Sequence, residues 1–167
     1  MGGDAAFTQE DGSLRLGATP KVFEAGDFLI GVSGSKRVCQ IVCYELKLPK
    51  HDPRLDVEKY MVVKFARALR KAMQDGGCEV DDENEGKTIN GMCLVGYQGR
   101  LFQVDSAYGV AMSLPPYAAI GCADQIALGA MHALRTTTPE KMVRAALEAS
   151  AEFDVNIRPP FTIKSIK

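Results

Sequence analysis

The feature that most constrains this chain is a change of hydrophobic period that happens twice. Segments with a period of two residues come in groups, and each group gives way to a pair of segments with helical spacing. The first group covers residues 13–17 (SLRLG), 20–23 (PKVF) and 27–32 (DFLIGV), the last two split by a tight turn at Ala25-Gly26. From Ser35 to Leu48 the apolar residues Val38, Ile41, Val42 and Leu46 fall close to helical spacing, with Ser33 or Ser35 as cap. Pro49 to Pro53 is a connector. A second helix is predicted from about Val57 to Gln74, stopped by Gly76-Gly77. Residues 79–87 (EVDDENEGK) read as an acidic, solvated loop that lacks the ligand order of a calcium loop.

The second group covers 88–96 (TINGMCLVG) and 100–105 (RLFQVD), joined by Tyr97-Gln98-Gly99, and a piece at 108–113 that Pro115-Pro116 end. Helices follow from Ala123 to Leu134 and from Pro139 to about Phe153, the latter with Thr138 as N-cap and proline in its first position. Residues 160–166 (PFTIKSI) read as a closing strand. Strands grouped between grouped helices argue for layers. Two sheets packed face to face, with a helix pair outside each, bury both faces of both sheets. The expected class is α+β, as one domain spanning residues 1–167.

Charge and cysteine content narrow the function. The net charge is −1, so nothing electrostatic points to nucleic acid or a membrane surface. Five scattered cysteines are a poor disulfide framework and suggest a reducing compartment. With no CxxC, and with His51 and His132 far from any cysteine pair, no zinc site is expected, and no other metal or cofactor. His51 lies in a charged loop and reads as solvated; His132 lies inside a helix. No apolar run approaches the ~20 residues of a membrane span, and no signal peptide is visible, so a cytoplasmic location is expected.

Four stretches along the chain, and then its first residues, carry a resemblance. "FLIGVSGSKRVCQIVCYEL" (28–46) resembles the strand, turn and first helix of the proteasome β-subunit and the HslV peptidase, which are N-terminal-nucleophile hydrolases. "TPKVF" (19–23) is similar to the strand carrying that family's catalytic lysine. "AAIGCADQIALGAMHAL" (118–134) and "PEKMVRAALEASAEFDVNIRPPFTI" (139–163) resemble its later helices, the aspartate after them and its closing strand. "GGDAAFT" (2–8) is similar to the family's Ala-Gly-Asp-x-x-x-Thr. The resemblance implies a four-layer αββα sandwich whose first strand is missing. About a dozen or more residues, the nucleophile among them, are expected ahead of Asp4.

The family's mechanism needs a hydroxyl at a free N-terminus, activated without histidine. By resemblance, Lys21 lowers the pKa of that hydroxyl and amine, while Asp4 keeps the lysine charged and oriented. Gly31 matches the glycine whose N–H faces the developing oxyanion, a donor worth about 3 kcal/mol. Thr8 matches the residue whose backbone pairs with bound peptide. Cys122 stands where the family has a serine near the amine; a thiol is a weak donor, but one at a helix start could have a depressed pKa and act as a nucleophile. Asp154 matches the aspartate supporting that serine and the amine. The residues after it, Ile157-Arg158-Pro159-Pro160, depart from the family's serine-glycine turn.

The implied activity is hydrolysis of peptide bonds in unfolded protein or peptide by a threonine-type peptidase subunit. It implies a homo-oligomeric ring and, as candidate partner, an ATP-driven unfoldase. As written, the chain lacks the nucleophile. The alternative is a non-catalytic structural or assembly subunit of the same fold, against which stands the presence together of Asp4, Thr8, Lys21 and Asp154.

Overall fold

The computed structural model describes residues 1–9 and 11–166. The chain opens with β1 (Gly2–Gly3), β2 (Ala6–Thr8) and β3 (Leu14–Leu16), followed by β4 (Val22–Ala25), β5 (Phe28–Gly34) and helix α1 (Lys36–Tyr44). Helix α2 (Val57–Tyr60), a π-helical turn over Met61–Phe65 and α3 (Ala66–Asp75) run on without a break. Then come β6 (Glu79–Asp82), β7 (Gly86–Ile89), β8 (Gly91–Tyr97), β9 (Arg100–Val104) and β10 (Val110–Met112). Helices α4 (Asp124–Ala133) and α5 (Pro139–Phe153) precede β11 (Thr162–Ile163).

The main sheet is antiparallel, in the order β10-β9-β8-β5-β4. Its central strand explains the layering. Phe28, Ile30 and Val32 of β5 join the principal core with Ile41 of α1 and Leu69 of α3. The intervening Leu29, Gly31 and Ser33 face the opposite side. Strand β8 repeats the pattern, with Cys93, Val95 and Tyr97 in the core and Met92, Leu94 and Gly96 on the other face. Both faces of the sheet are therefore apolar, which calls for a layer on each side.

The second layer is built on β1 and β11. They pair antiparallel, Gly2 with Ile163 and Gly3 with Thr162. The ladder extends one residue further, because the Met1 amine donates to the Lys164 carbonyl at 2.7 Å and the Lys164 amide donates to the Met1 carbonyl at 2.9 Å. Gly2 sits directly on α5. A Cβ there would come within 2.5 Å of Val143 Cγ1 and 2.8 Å of Leu147 Cδ1, so only glycine lets strand and helix approach this closely. Helices α4 and α5 pack on each other around Met131, Met142 and Ala146. The order of layers is helix pair, sheet, sheet, helix pair, as expected.

Three boundaries differ from the sequence reading. Helix α1 stops at Tyr44, because the Glu45 and Leu46 amides both donate to the Ile41 carbonyl, and the chain turns so that Leu46 packs on the core. The acidic stretch at 79–87 is not a loop. It belongs to a hairpin of β6 and β7 in which Asp81 opposes Lys87, with a 2.7 Å ion pair. The Asp82 carboxylate accepts from the Asn84 and Glu85 amides, and this closes the turn. The closing strand shrinks to Thr162–Ile163, the residues opposite Gly3 and Gly2 of β1. Among the described residues no helix is long and apolar enough to cross a membrane.

Candidate active site

A cleft of about 2340 Å³ separates the main sheet from β1 and the α4–α5 layer. Small-molecule sites occupy roughly 300–1,000 Å³, so this one has room for a stretch of polypeptide. Leu29 and Leu94 form its floor on the sheet side, and Met131, Val143 and Leu147 its opposite wall. Five of the six residues singled out from the sequence line this cleft: Asp4, Thr8, Lys21, Gly31 and Cys122.

Asp4 and Lys21 form its polar centre. Asp4 follows β1 and is buried, at 8% exposure. Its Oδ1 accepts from Lys21 Nζ at 2.7 Å. Its Oδ2 accepts from the Ala6 amide at 2.8 Å and, more distantly, from the Arg158 amide at 3.5 Å. A buried carboxylate with three donors is satisfied and fixed in orientation. Lys21 is half-buried, and its carbonyl accepts from the Val32 amide. The ammonium is thus held by two layers at once, β1 through Asp4 and the main sheet through its own backbone.

Gly31 pairs with Val22 on one side and Leu94 on the other, so its backbone sits inside the ladder. The sequence reading passed over the residue with freer geometry, Gly34. The Val32 amide bonds on the β4 side and the Ser35 amide to Asn90 on the β8 side. Alternation therefore turns the Gly34 amide to the β4 side, beyond the last pairing there. Among the described residues no carbonyl outside the ladder accepts from it. Its φ of +108° is the signal, and the Ser33-Gly34-Ser35 spacing before a helix is the only trace of it in sequence.

Cys122 and Asp154 meet at the cleft's rim. Asp154 caps the C-terminus of α5 and does not itself line the cleft. Its Oδ1 accepts from the Asn156 amide at 2.8 Å and from Asn156 Nδ2 at 3.0 Å. These bonds, the amide first, hold its carboxyl below the usual range, and the Cys122 thiol contributes. The same Asn156 accepts from Thr8 Oγ1 at 3.4 Å, which ties β2 to the end of α5. The idea of a depressed Cys122 pKa is corrected. Partial burial and the Asp154 carboxylate push that thiol up. Cys122 is the exposed cysteine of the five, yet it stays protonated at neutral pH. We expect its alkylation by iodoacetamide, followed by peptide mass spectrometry, to keep accelerating above pH 9. Asp154→Asn should raise the rate at pH 8 several-fold, since removing the facing charge favours the thiolate. An unchanged rate would mean the two side chains do not interact.

His51 is also corrected. It is not solvated: Nε2–H donates to the Leu55 carbonyl at 2.8 Å, so Nδ1 accepts from the Tyr97 hydroxyl at 2.9 Å. Its ring packs on Tyr60 and Tyr97. It ties the connector to the core and stands apart from the Asp4–Lys21 pair. His132, in α4, bonds through Nδ1 to the Tyr117 hydroxyl at 2.8 Å.

No protein-family model matches the chain, and no curated protein matches it in sequence. Solved structures do match in fold. The chain is similar to BPH of Thiobacillus denitrificans, solved in complex with epoxomicin, at 20% identity and a TM-score of 0.76, over 96% of this chain and 88% of that one. It is similar to HslV of Trypanosoma brucei at 18% identity and a TM-score of 0.64, again over 96% and 88%. It is also similar to Anbu of Pseudomonas aeruginosa, solved as a helical assembly, at 14% identity and a TM-score of 0.62, over 96% and 73%. The αββα layering and these likenesses define the class of fold. It is the four-layer, proteasome-type sandwich seen in BPH and HslV.

Proposed function

We propose that this chain is a threonine-type peptidase subunit of a proteasome-like, self-compartmentalising assembly, acting on unfolded protein or peptide in the cytoplasm. The observation that carries the reading is the Asp4–Lys21 pair, with its carboxylate buried, at the polar centre of a cleft large enough for polypeptide. A lysine held charged by a fixed carboxylate lowers the pKa of a neighbouring hydroxyl and amine, which is what a histidine-free nucleophile needs. The reading requires a nucleophile from a segment ahead of Met1. Such a segment would continue the β1 edge through the cleft. We assign the oxyanion donor to Gly34, whose amide has left the ladder, in preference to Gly31. Asp154 would orient Cys122 near the N-terminal amine. Assembly into a homo-oligomer, and delivery of substrate by an ATP-driven unfoldase, belong to the same proposal.

A specific observation favours a second reading, a non-catalytic subunit of the same fold. Among the described residues no hydroxyl or thiol bonds to Lys21 Nζ, whose partner is Asp4. One experiment decides between them. The protein is expressed from its own locus with upstream DNA, and its N-terminal sequence and intact mass are measured with and without epoxomicin, the compound found in the BPH complex. An N-terminal threonine, serine or cysteine about a dozen residues before Asp4, with a mass adduct on it, supports the peptidase. In that protein Lys21→Ala should lower peptide hydrolysis at least ~100-fold. A chain beginning at Met1 or Gly2, with no adduct, sinks the peptidase reading in favour of the second.

A further inference from the structure

Beside the Asp4–Lys21 pair the cleft carries a feature this chemistry does not use. Lys36, the first residue of α1, is exposed, but its ammonium does not extend into solvent. It lies over the Phe7 ring, 4.5 Å from the centroid. The ring is itself pinned. Phe7 lies against Gly17, where a Cβ would come within 3.0 Å of the ring, and it pairs across the β2–β3 ladder with Arg15. Arg15 Nε donates to the Gln9 side chain at 3.1 Å. Among the described residues neither Lys36 nor Arg15 has a carboxylate within ion-pair distance. Of the other charges that line the cleft, Asp4 is paired with Lys21 and Glu24 with Lys164, whereas Asp11, Asp27, Arg100 and Asp124 have no ion pair among the described residues. The shelf made by Phe7, Arg15 and Lys36 is therefore a fixed positive surface next to Thr8 and the Gly34 turn, all but Arg15 lining the same cleft.

We infer that this shelf selects substrates, and that the peptide side chain it receives is acidic. The inference rests on the peptidase reading for its biological meaning, although the binding it predicts does not need catalysis. Strand β2 is paired on one edge only, by β3. A peptide laid along the other edge alternates its side chains as β2 does. A side chain on the Phe7 side of such a peptide ends beside the Lys36 ammonium, where it lies over the ring. An aspartate or glutamate there gains a charge-assisted hydrogen bond from a cation that is already positioned. A lysine or arginine there meets like charge. An aliphatic side chain gains the ring and leaves the ammonium unpaired. Lys36 is a specificity residue on this account, and Phe7 is the residue that positions it.

The test is equilibrium binding, by fluorescence anisotropy, of labelled peptides to the full chain. The peptides are otherwise identical and carry Glu, Leu or Lys at each position in turn. We expect one position at which Glu binds about fivefold more tightly than Leu at low salt, with Lys weakest and the preference shrinking as salt rises. Lys36→Gln should abolish the preference and Lys36→Glu should invert it. Phe7→Leu should reduce it while leaving the binding of the Leu peptide nearly unchanged. Lys36 is exposed, so its variants should melt with the parent chain. Equal binding of Glu and Leu peptides at every position, or a preference that survives Lys36→Glu, would overturn the inference. Failure of the peptidase reading appears separately, as absence of hydrolysis and of an epoxomicin adduct in the protein from its own locus.

Discussion

Lys21→Met is expected to lower the stability of the chain by about 2–3 kcal/mol, a fall in Tm of roughly 5–10 °C for a domain of this size. The carboxylate left behind is the reason. Asp4 is buried at 8% exposure, and the lysine is the one cation bonded to it at short range. Breaking a fully buried pair from one side costs about 3–5 kcal/mol, because the remaining charge has lost its partner and cannot recover water. Here the figure is lower, since the Lys21 side chain keeps 29% of its exposure and the Ala6 amide still donates to Asp4. The reciprocal change should be milder. Asp4→Asn leaves the half-exposed ammonium, which can turn toward the cleft, and we expect about 1–2 kcal/mol. The double variant should cost less than the sum of the two. Urea melts of the four chains give the coupling directly. If Lys21→Met costs no more than Asp4→Asn, Asp4 is hydrated in solution, and the pair does not hold the cleft's centre in place.

That pair also shows how far a linear sequence carries. Asp4 and Lys21 could be nominated because the Gly-Gly-Asp start and the following Lys-Val-Phe lie in motifs with a fixed order. Their contact closes through β1, a strand of two residues. No periodicity could reveal so short a strand. It exists because β11 pairs with it from the far end of the chain and Gly2 lets it sit on α5. The main sheet was legible for the opposite reason. In β5 and β8 alternate side chains enter the core, and the pattern survives over seven residues each. The hairpin of β6 and β7 was missed because Val80 to Asp82, Gly86 and Lys87 are all exposed and burial begins only at Thr88, so no alternation records the pairing. Its signal lay in the turn, where Asp82 and Gly86 (φ +78°) close the loop and Lys87 answers Asp81. His51 was misread because its neighbours in sequence are charged. Its partner in space is Tyr97, 46 positions away. Long-range satisfaction of a polar ring leaves no local mark.

Gly34→Ala should be the most damaging single methyl in the molecule, costing about 3–4 kcal/mol. Two terms add. The first is conformational: at φ +108° an L side chain is strained whatever room it has, which costs about 1–2 kcal/mol. The second is steric: a Cβ would run into the Asn90 carbonyl oxygen and the Gly91 Cα. Both are backbone atoms, so neither can swing aside as the tip of a flexible side chain would. Relief requires moving the end of β8 away from β5, which breaks the Gly34–Gly91 pairing and the Ser35 amide bond to Asn90. Gly77→Ala separates the terms. Gly77 ends α3 at φ +66° with nothing within 4 Å of its Cβ position, so it carries the conformational cost alone, about 1 kcal/mol. The difference between the two variants in urea unfolding measures the contact of the Gly34 turn with the start of β8. That contact also fixes the Gly34 amide, which lies on the β4 side beyond the last pairing and is the oxyanion donor of the proposal above. Equal costs would mean that β8 gives way without loss, and the turn would then be too loose to hold an oxyanion donor in a fixed direction.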